Sequence, residues 1–311
     1  MIDSFKQLQQ LHPWPDVSGL SAHNFTLGGG GREVIEREIE KIRRTKHGTE
    51  PIFMVEIGCF MCASTRRWLA KFDTLHIVGV DPWPESLKEQ VKKYVDRPLL
   101  NRLYPHAEDQ TRFVEDIRNQ GPKETGLANI QAYQDRFIPV QGYSPDALKG
   151  IADTGFVPDL VYIDGAKQPE DLEGCYEHWP TAKITGDDWH WGRNYGYPMR
   201  KIVKKFALKN DFGIEANWAT WVLHKDQDSS LLIQAAHRSD LFKLQALATR
   251  CHKNIDFEEK LGRLLVIYDE TNLIAAGSVA HSSIEMTLID PLFESRAAPL
   301  LLTALHATIQ S

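Results

Sequence analysis

Asp164, Asp187 and Asp188 are the residues whose type and spacing most directly suggest chemistry. The apolar runs Asp159–Ile163 and Lys183–Gly186 that precede them read as buried parallel strands. Neighbouring parallel strands bring their C-terminal ends together, so the three carboxylates would share a small volume. Like charges repel there unless a cation joins them, and a divalent ion with oxygen ligands, Mg²⁺ first among them, is the simplest resolution. For any one of these acids the alternative is a helix cap or a solvated loop end.

A ligand crevice is expected beside them. Val55-Glu56-Ile57-Gly58-Cys59-Phe60-Met61-Cys62-Ala63-Ser64-Thr65 follows a strand and opens a helix, where N–H groups and the helix dipole favour electron-rich ligands. Val78-Gly79-Val80-Asp81 then ends in a carboxylate about twenty residues beyond Gly58, the spacing at which an acid reaches ribose hydroxyls. Adenosine-containing ligands fit that pair. A classical NAD-binding turn does not, because Gly-x-Gly-x-x-Gly is absent. Cys59-x-x-Cys62 has the spacing and context of a thioredoxin-like redox pair, and its alternative is a plain part of the same turn. A zinc site is not indicated, since Cys175 and Cys251 have no matching spacing.

The elements that must position these residues alternate. Apolar runs at Ile52–Ile57, Leu75–Val80 and Arg136–Val140, with the two already named, each precede a helical or polar segment. Gly213–Ala216 and Trp218–Leu223 are expected to pair antiparallel at the sheet edge. The expected fold class is α/β: a doubly wound, mostly parallel seven-stranded sheet with a small α+β C-terminal domain. The expected domains are a lead-in and helix over 1–50, a sheet domain over 51–227 with a charged helical insertion at about 85–134, and a second domain over 228–311. The insertion either roofs the crevice and selects the substrate or decorates the surface. Gly28–Gly31 reads as a hinge, with a phosphate nest as its alternative, and His224–Ser230 reads as a linker.

Glu56-x-Gly58 with Ser64-Thr65, followed by Val78–Asp81 and Trp83, resembles the first two motifs of class I S-adenosylmethionine-dependent methyltransferases. The resemblance implies that Glu56, Gly58 and Ser64 surround the methionine end of the cofactor and that Asp81 holds its ribose. Gly142 and Ser144, in Gln141-Gly142-Tyr143-Ser144, would face the adenine. Cys62 stands where relatives usually carry a second glycine.

Tyr162-Ile163-Asp164-Gly165 and Gly186-Asp187-Asp188-Trp189 are similar to the cation-holding segments of metal-dependent O-methyltransferases. By that resemblance Asp164, Asp187 and Asp188 hold the metal, a substrate hydroxyl is ligated by it, and Lys167 accepts the hydroxyl proton. Asp164 and Lys167 are thus the expected catalytic pair, with S-adenosylmethionine and Mg²⁺ as cofactors and a small molecule or sugar as acceptor. Lys167 has the alternative of a solvated surface lysine. Trp189-His190-Trp191, Tyr195 and Tyr197 would wall the acceptor pocket or fill core.

From Gln234 to Pro291 the order of elements resembles the opening half of a GCN5-related N-acetyltransferase. The family's pyrophosphate turn falls on Glu294-Ser295-Arg296-Ala297-Ala298-Pro299, where both amide-presenting positions are altered and Pro299 has no N–H. A degenerate module is expected, packed on the methyltransferase or pairing with another chain as a homo-oligomer or with a partner protein. Two further functions stay open: a catalytically impaired methyltransferase-fold binding or assembly protein, and acyl-CoA-related transfer by the C-terminal domain.

Composition sets the outer limits. The 311 residues are 42% apolar and 25% charged, as in an ordinary globular protein. A formal net charge of -6 argues against gripping nucleic acid. With no long apolar run, no signal-peptide pattern and four cysteines, the chain reads as cytoplasmic with no membrane partner.

Overall fold

The computed structural model describes residues 2–23, 30–46, 48–95, 106–225, 231–269, 272–280 and 283–310. Two compact units result: residues 1–29 with 38–187, and residues 30–37 with 188–311.

The first unit is built on five parallel strands. These are β1 (Ile52–Ile57), β2 (Leu75–Asp81), β3 (Phe137–Gln141), β4 (Leu160–Ile163) and β5 (Lys183–Gly186), in the order β3-β2-β1-β4-β5. The first four strands are nearly continuously buried, as strands covered on both faces must be. The order reverses between β1 and β4, and the C-terminal ends on either side of that reversal are where open α/β sheets bind ligands.

Helix α1 (Ile2–Leu11) closes the opposite end of the core. Its Phe5 ring lies 5.6 Å from Phe53 and 5.2 Å from His76, with Phe156 completing the group. Helix α2 (Glu33–Thr45) is divided between the units after Arg37. Helix α3 (Ala63–Lys71) follows β1, and the expected insertion is helical: α4 (Leu87–Val95), α5 (Ala107–Asn119) and α6 (Pro122–Ala128). Leu87, Val91, Phe113 and Ile117 form its own small core. Helices α7 (Asp146–Asp153) and α8 (Pro169–His178) follow β3 and β4.

The second unit contains α9 (Pro198–Asn210), β6 (Gly213–Asn217), β7 (Thr220–His224), β8 (Leu231–Ala235), α10 (Leu241–Arg250), β9 (Leu264–Asp269), β10 (Asn272–Ala280), β11 (Ser283–Ile289) and α11 (Glu294–Gln310). Within it the strands run β7-β6-β8-β9-β10-β11, with β6–β8 parallel and the other neighbours antiparallel. Leu231, Ile233, Ile267, Ile274, Leu301 and Leu305 form the core between this sheet and α11.

Two expectations change here. The expected seven-stranded, mostly parallel sheet is instead one of eleven mixed strands, in which β6 and β7 do pair antiparallel as expected. Its β6 ladders onto β8 through Ile214↔Leu232 and Glu215↔Ile233. The presumed pyrophosphate turn 294–299 is no turn at all: it forms the first residues of α11, with Ala297 fully buried and the Arg296 guanidinium 3.2 Å from Asp269. The expected boundary at 227 and most of the linker lie outside the described residues, as do Gly28 and Gly29.

Glu215 gives the second unit a pH signature. Burial raises its carboxyl, but bonds from His224 at 3.2 Å and Arg37 at 2.7 Å outweigh that and hold it at about 2. A carboxylate depressed in the folded state adds stability above its ordinary value near 4.5, and that stability is lost as pH falls through about 2. Urea midpoints should therefore drop between those two pH values, and Glu215→Gln should flatten that part of the profile.

Candidate functional site

The strand ends of the first unit carry the expected residues on one edge. One further backbone bond continues each ladder beyond the strand: Gly58 N–H to Val80 O, Asp164 N–H to Ile57 O, Asp187 N–H to Ile163 O and Gly142 N–H to Asp81 O. Gly58, Asp164, Asp187 and Gly142 are thereby fixed side by side at the C-terminal edge of β1, β4, β5 and β3.

Glycine is required at 58 on two counts. Its φ is +88°, and a Cβ there would lie 2.4 Å from Asp164 O and 2.8 Å from Gly165 N. The turn that follows contains two non-glycine residues in the left-handed region, Phe60 (φ 45°) and Cys62 (φ 55°), and Trp83 (φ 36°) faces them from the loop after β2. Such conformations cost about 1–3 kcal/mol each and concentrate at ligand sites.

What holds this strain is Asp81. Its Oδ2 accepts the Phe60 N–H at 2.8 Å, its Oδ1 accepts the Trp83 N–H at 2.7 Å, and the Cys59 N–H also bonds the carboxylate. Burial raises the carboxyl of Asp81, and these three bonds pull against that rise. Trp83 adds a second fastening, with Nε1 donating to Phe60 O at 2.8 Å.

The insertion grips the same turn. Asn129 Nδ2 donates to Met61 O at 3.0 Å, and Met61 is buried in the core formed by α4 and α5. A Cβ on Gly126 of α6 would meet Phe60 O at 2.5 Å, so that helix rests directly on the turn. The insertion therefore packs against the turn after β1.

Glu56 is completely buried on β1, where it accepts the hydroxyls of Ser64 at 2.6 Å and Thr65 at 2.5 Å. These three tie the start of α3 to the sheet, so Glu56 and Ser64 shape the turn from beneath. On the β3 side, Gln168 Nε2 bridges Ser144 O at 3.1 Å and Asp171 Oδ1 at 3.0 Å.

The three aspartates are only partly brought together. Asp164 and Asp187 share the strand edge, but Asp188 adopts φ 67°. Among the described residues the oxygens of Asp164, Asp187 and Asp188 do not gather within 4.8 Å of one another. Lys167 is half-buried and donates from Nζ to Gly165 O at 2.9 Å. Of the expected aromatic wall, Trp189 is fully buried, whereas Trp191 and Tyr195 are exposed and stacked on each other.

The environment of Cys59 and Cys62 opposes thiolate formation. Cys59 and Cys62 are buried and unbridged, and burial first, with Glu56 next, pushes both well up. A redox pair needs an accessible, stabilised thiolate, which this environment opposes. A thiol reagent added to the folded chain should modify Cys251 alone, with Cys59, Cys62 and the equally buried Cys175 reacting only in denaturant. Rapid native labelling of Cys59 or Cys62 would contradict the packing of the turn.

No protein-family model and no curated protein matches the chain. Solved structures do resemble it. One is a putative caffeoyl-CoA O-methyltransferase from Staphylococcus aureus, at 10% identity and TM-score 0.36, over 72% of this chain and 91% of that one. Another is precorrin 8W decarboxylase from Methanobacterium thermoautotrophicum, at 14% identity and TM-score 0.34, over 60% and 76%. A third is the C-terminal domain of precorrin-6Y C5,15-methyltransferase from Rhodobacter capsulatus, at 10% identity and TM-score 0.32, over 56% and 79%. Likenesses this remote add nothing to the chemistry of the site.

Proposed function

We propose that the crevice at Gly58 and Asp81 binds S-adenosylmethionine and that the chain transfers its methyl group to a hydroxyl of a small molecule or sugar. The observation that carries this reading is the strained turn at 58–62, placed at the strand-order reversal and latched by the acid at the end of β2. A carboxylate offers about four acceptor sites. Two are occupied by the N–H groups of Phe60 and Trp83, with the Cys59 N–H also favouring the charged carboxylate, which leaves capacity for a ribose hydroxyl. The methionine end would lie along Gly58, where a side chain has no room. Gly142 and Ser144 would border the adenine.

The bound cofactor supplies a methyl group on a positively charged sulfur. The acceptor oxygen must lose a proton as it attacks, and Lys167 is the base in this reading, releasing its bond to Gly165 O to receive it. Asp164 lies beside it and would orient the acceptor. As their side chains stand, Asp164, Asp187 and Asp188 do not make a ligand set, so no step of this transfer is routed through a cation.

A second reading has one specific observation in its favour. Asp81 is nearly saturated and Cys62 is completely buried at the mouth of α3, which suits a methyltransferase-fold protein that binds without turning over.

Calorimetric titration of the full chain with S-adenosylmethionine separates these. Saturable binding is expected, weakened by about 1–3 kcal/mol in Asp81→Ala, the scale of a hydrogen bond to a charged group. Absence of binding removes the proposal, and binding without methyl transfer to any of a panel of hydroxylated acceptors selects the second reading. Chelator should leave cofactor affinity unchanged. Loss of transfer that added Mg²⁺ restores would return the three aspartates to a metal.

A further inference from the structure

A cluster in the second unit, which the reading above does not use, has the composition of an oxyanion site. Arg200 and Lys204 lie one turn apart on α9 and so share a face. The Arg200 guanidinium packs over the rings of Trp189, 5.0 Å away, and Tyr197, 5.6 Å away. It spends one N–H on Gln234 Oε1, which also takes the Trp189 Nε1 at 3.3 Å, while its Nε is buried without an acceptor. A guanidinium carries five N–H donors in a fixed fork suited to carboxylate or phosphate, and flat aromatic supports hold the fork in one plane.

The surroundings add charge of one sign. Burial, then Arg200 and Lys243, push the Lys204 ammonium down, and among the described residues Lys204 makes no hydrogen bond or ion pair. Lys243 on α10 lies over the Tyr268 ring at 4.8 Å. The acid that faces this group is Asp240, and both of its oxygens are taken. Tyr268 OH donates to one at 2.6 Å and the His237 N–H to the other at 2.8 Å. Arg200 and Lys204 thus stand beside a carboxylate whose two oxygens each already accept a hydrogen bond.

Two imidazoles lie beside Arg200. His190 and His237 stack with ring centroids 5.7 Å apart. His237 Nδ1 accepts the Ser239 N–H at 3.2 Å, so the neutral ring carries its proton on Nε2 as a further donor. Burial, then Arg200 and His237, hold His190 down at about 4, so it is neutral at physiological pH and adds no repulsion. A cation cluster with a buried guanidinium N–H that has no acceptor is a costly arrangement unless an anion completes it.

We propose that Arg200, Lys204, Lys243, His190 and His237 form a binding site for the phosphate or carboxylate group of a small molecule. The site lies wholly within the second unit and does not depend on methyl transfer.

The test is a titration of the ¹⁵N-labelled full chain with inorganic phosphate and, separately, with acetate, each against chloride at constant ionic strength, following the ring signals of His190 and His237. A saturable shift with either anion is expected, and the tighter of the two names the ligand group. Arg200→Gln and Lys204→Met should each weaken it about tenfold or more, as loss of a charge-assisted bond does. Because Arg200 is packed between rings, Lys204→Met, which keeps the aliphatic stem, is the variant expected to leave the melting temperature unchanged. Ring signals that do not respond to either anion overturn the proposal. So does an unaltered response in a folded Lys204→Met protein.

Discussion

Gly58→Ala should lower the stability of the first unit by about 3–5 kcal/mol and abolish binding in the crevice. The left-handed backbone costs a non-glycine residue about 1–3 kcal/mol on its own. The added Cβ would then sit 2.4 Å from the Asp164 carbonyl oxygen and 2.6 Å from its carbon, groups held by the Asp164 N–H bond to Ile57 O. Backbone cannot swing aside as a side-chain tip can, so β1 and β4 must part or the turn must refold. Either movement displaces Phe60 and frees the Asp81 latch.

Urea unfolding measures the first effect and calorimetry the second. Gly150→Ala is the control, since Gly150 lies within α7 with nothing near its Cβ position, and alanine there should stabilise by about 0.5–1 kcal/mol. Equal midpoints for Gly58→Ala and the parent would mean that the turn is not pressed on β4 as described.

Much of this arrangement was legible in the residues. The five apolar runs read as buried parallel strands are β1 to β5 to within a residue or so, because strands covered on both faces need unbroken apolar sequence. The turn after β1 and the acid after β2 were visible from spacing alone. What spacing could not give was direction. The Asp81 carboxylate reads as a ribose ligand, yet most of its acceptor capacity goes to its own chain, because Phe60 and Trp83 take positive φ and present N–H groups inward.

The grip of the insertion on Met61 was hidden for a related reason. Met61 lies inside the motif, but its packing partners Leu87, Val91, Phe113 and Ile117 are remote in sequence and carry no periodicity that points back to it. The edge pair β6–β7 was legible as an antiparallel hairpin, but a run of alternating residues does not say how many further strands will ladder onto it, as β8 does. Arg200 and Lys204 did offer a signal, a pair of cations four residues apart near a Trp-His-Trp stretch. Only the fold brings Gln234, His237 and Tyr268 to them.

The resemblance at Asp164 and Lys167 leads to the other large effect. Lys167→Met should slow methyl transfer by about 10²–10⁴-fold, the contribution of a positioned base, while leaving cofactor affinity and the urea midpoint close to those of the parent. Stability should be spared because Lys167 is half-buried on the loop between β4 and α8, and methionine can keep the stem's contacts. The bond from Nζ to Gly165 O at 2.9 Å points the ammonium at the loop that carries Asp164, so small rotations about the stem suffice to move it to an acceptor hydroxyl.

A lysine that only fastens this loop and one that takes a proton differ in whether arginine can replace them. Lys167→Arg keeps the charge and the reach but cannot release its proton, so it should fail as Met does while still bonding Gly165 O. Restoration of the rate by arginine would show that the side chain positions the loop and that another group accepts the proton.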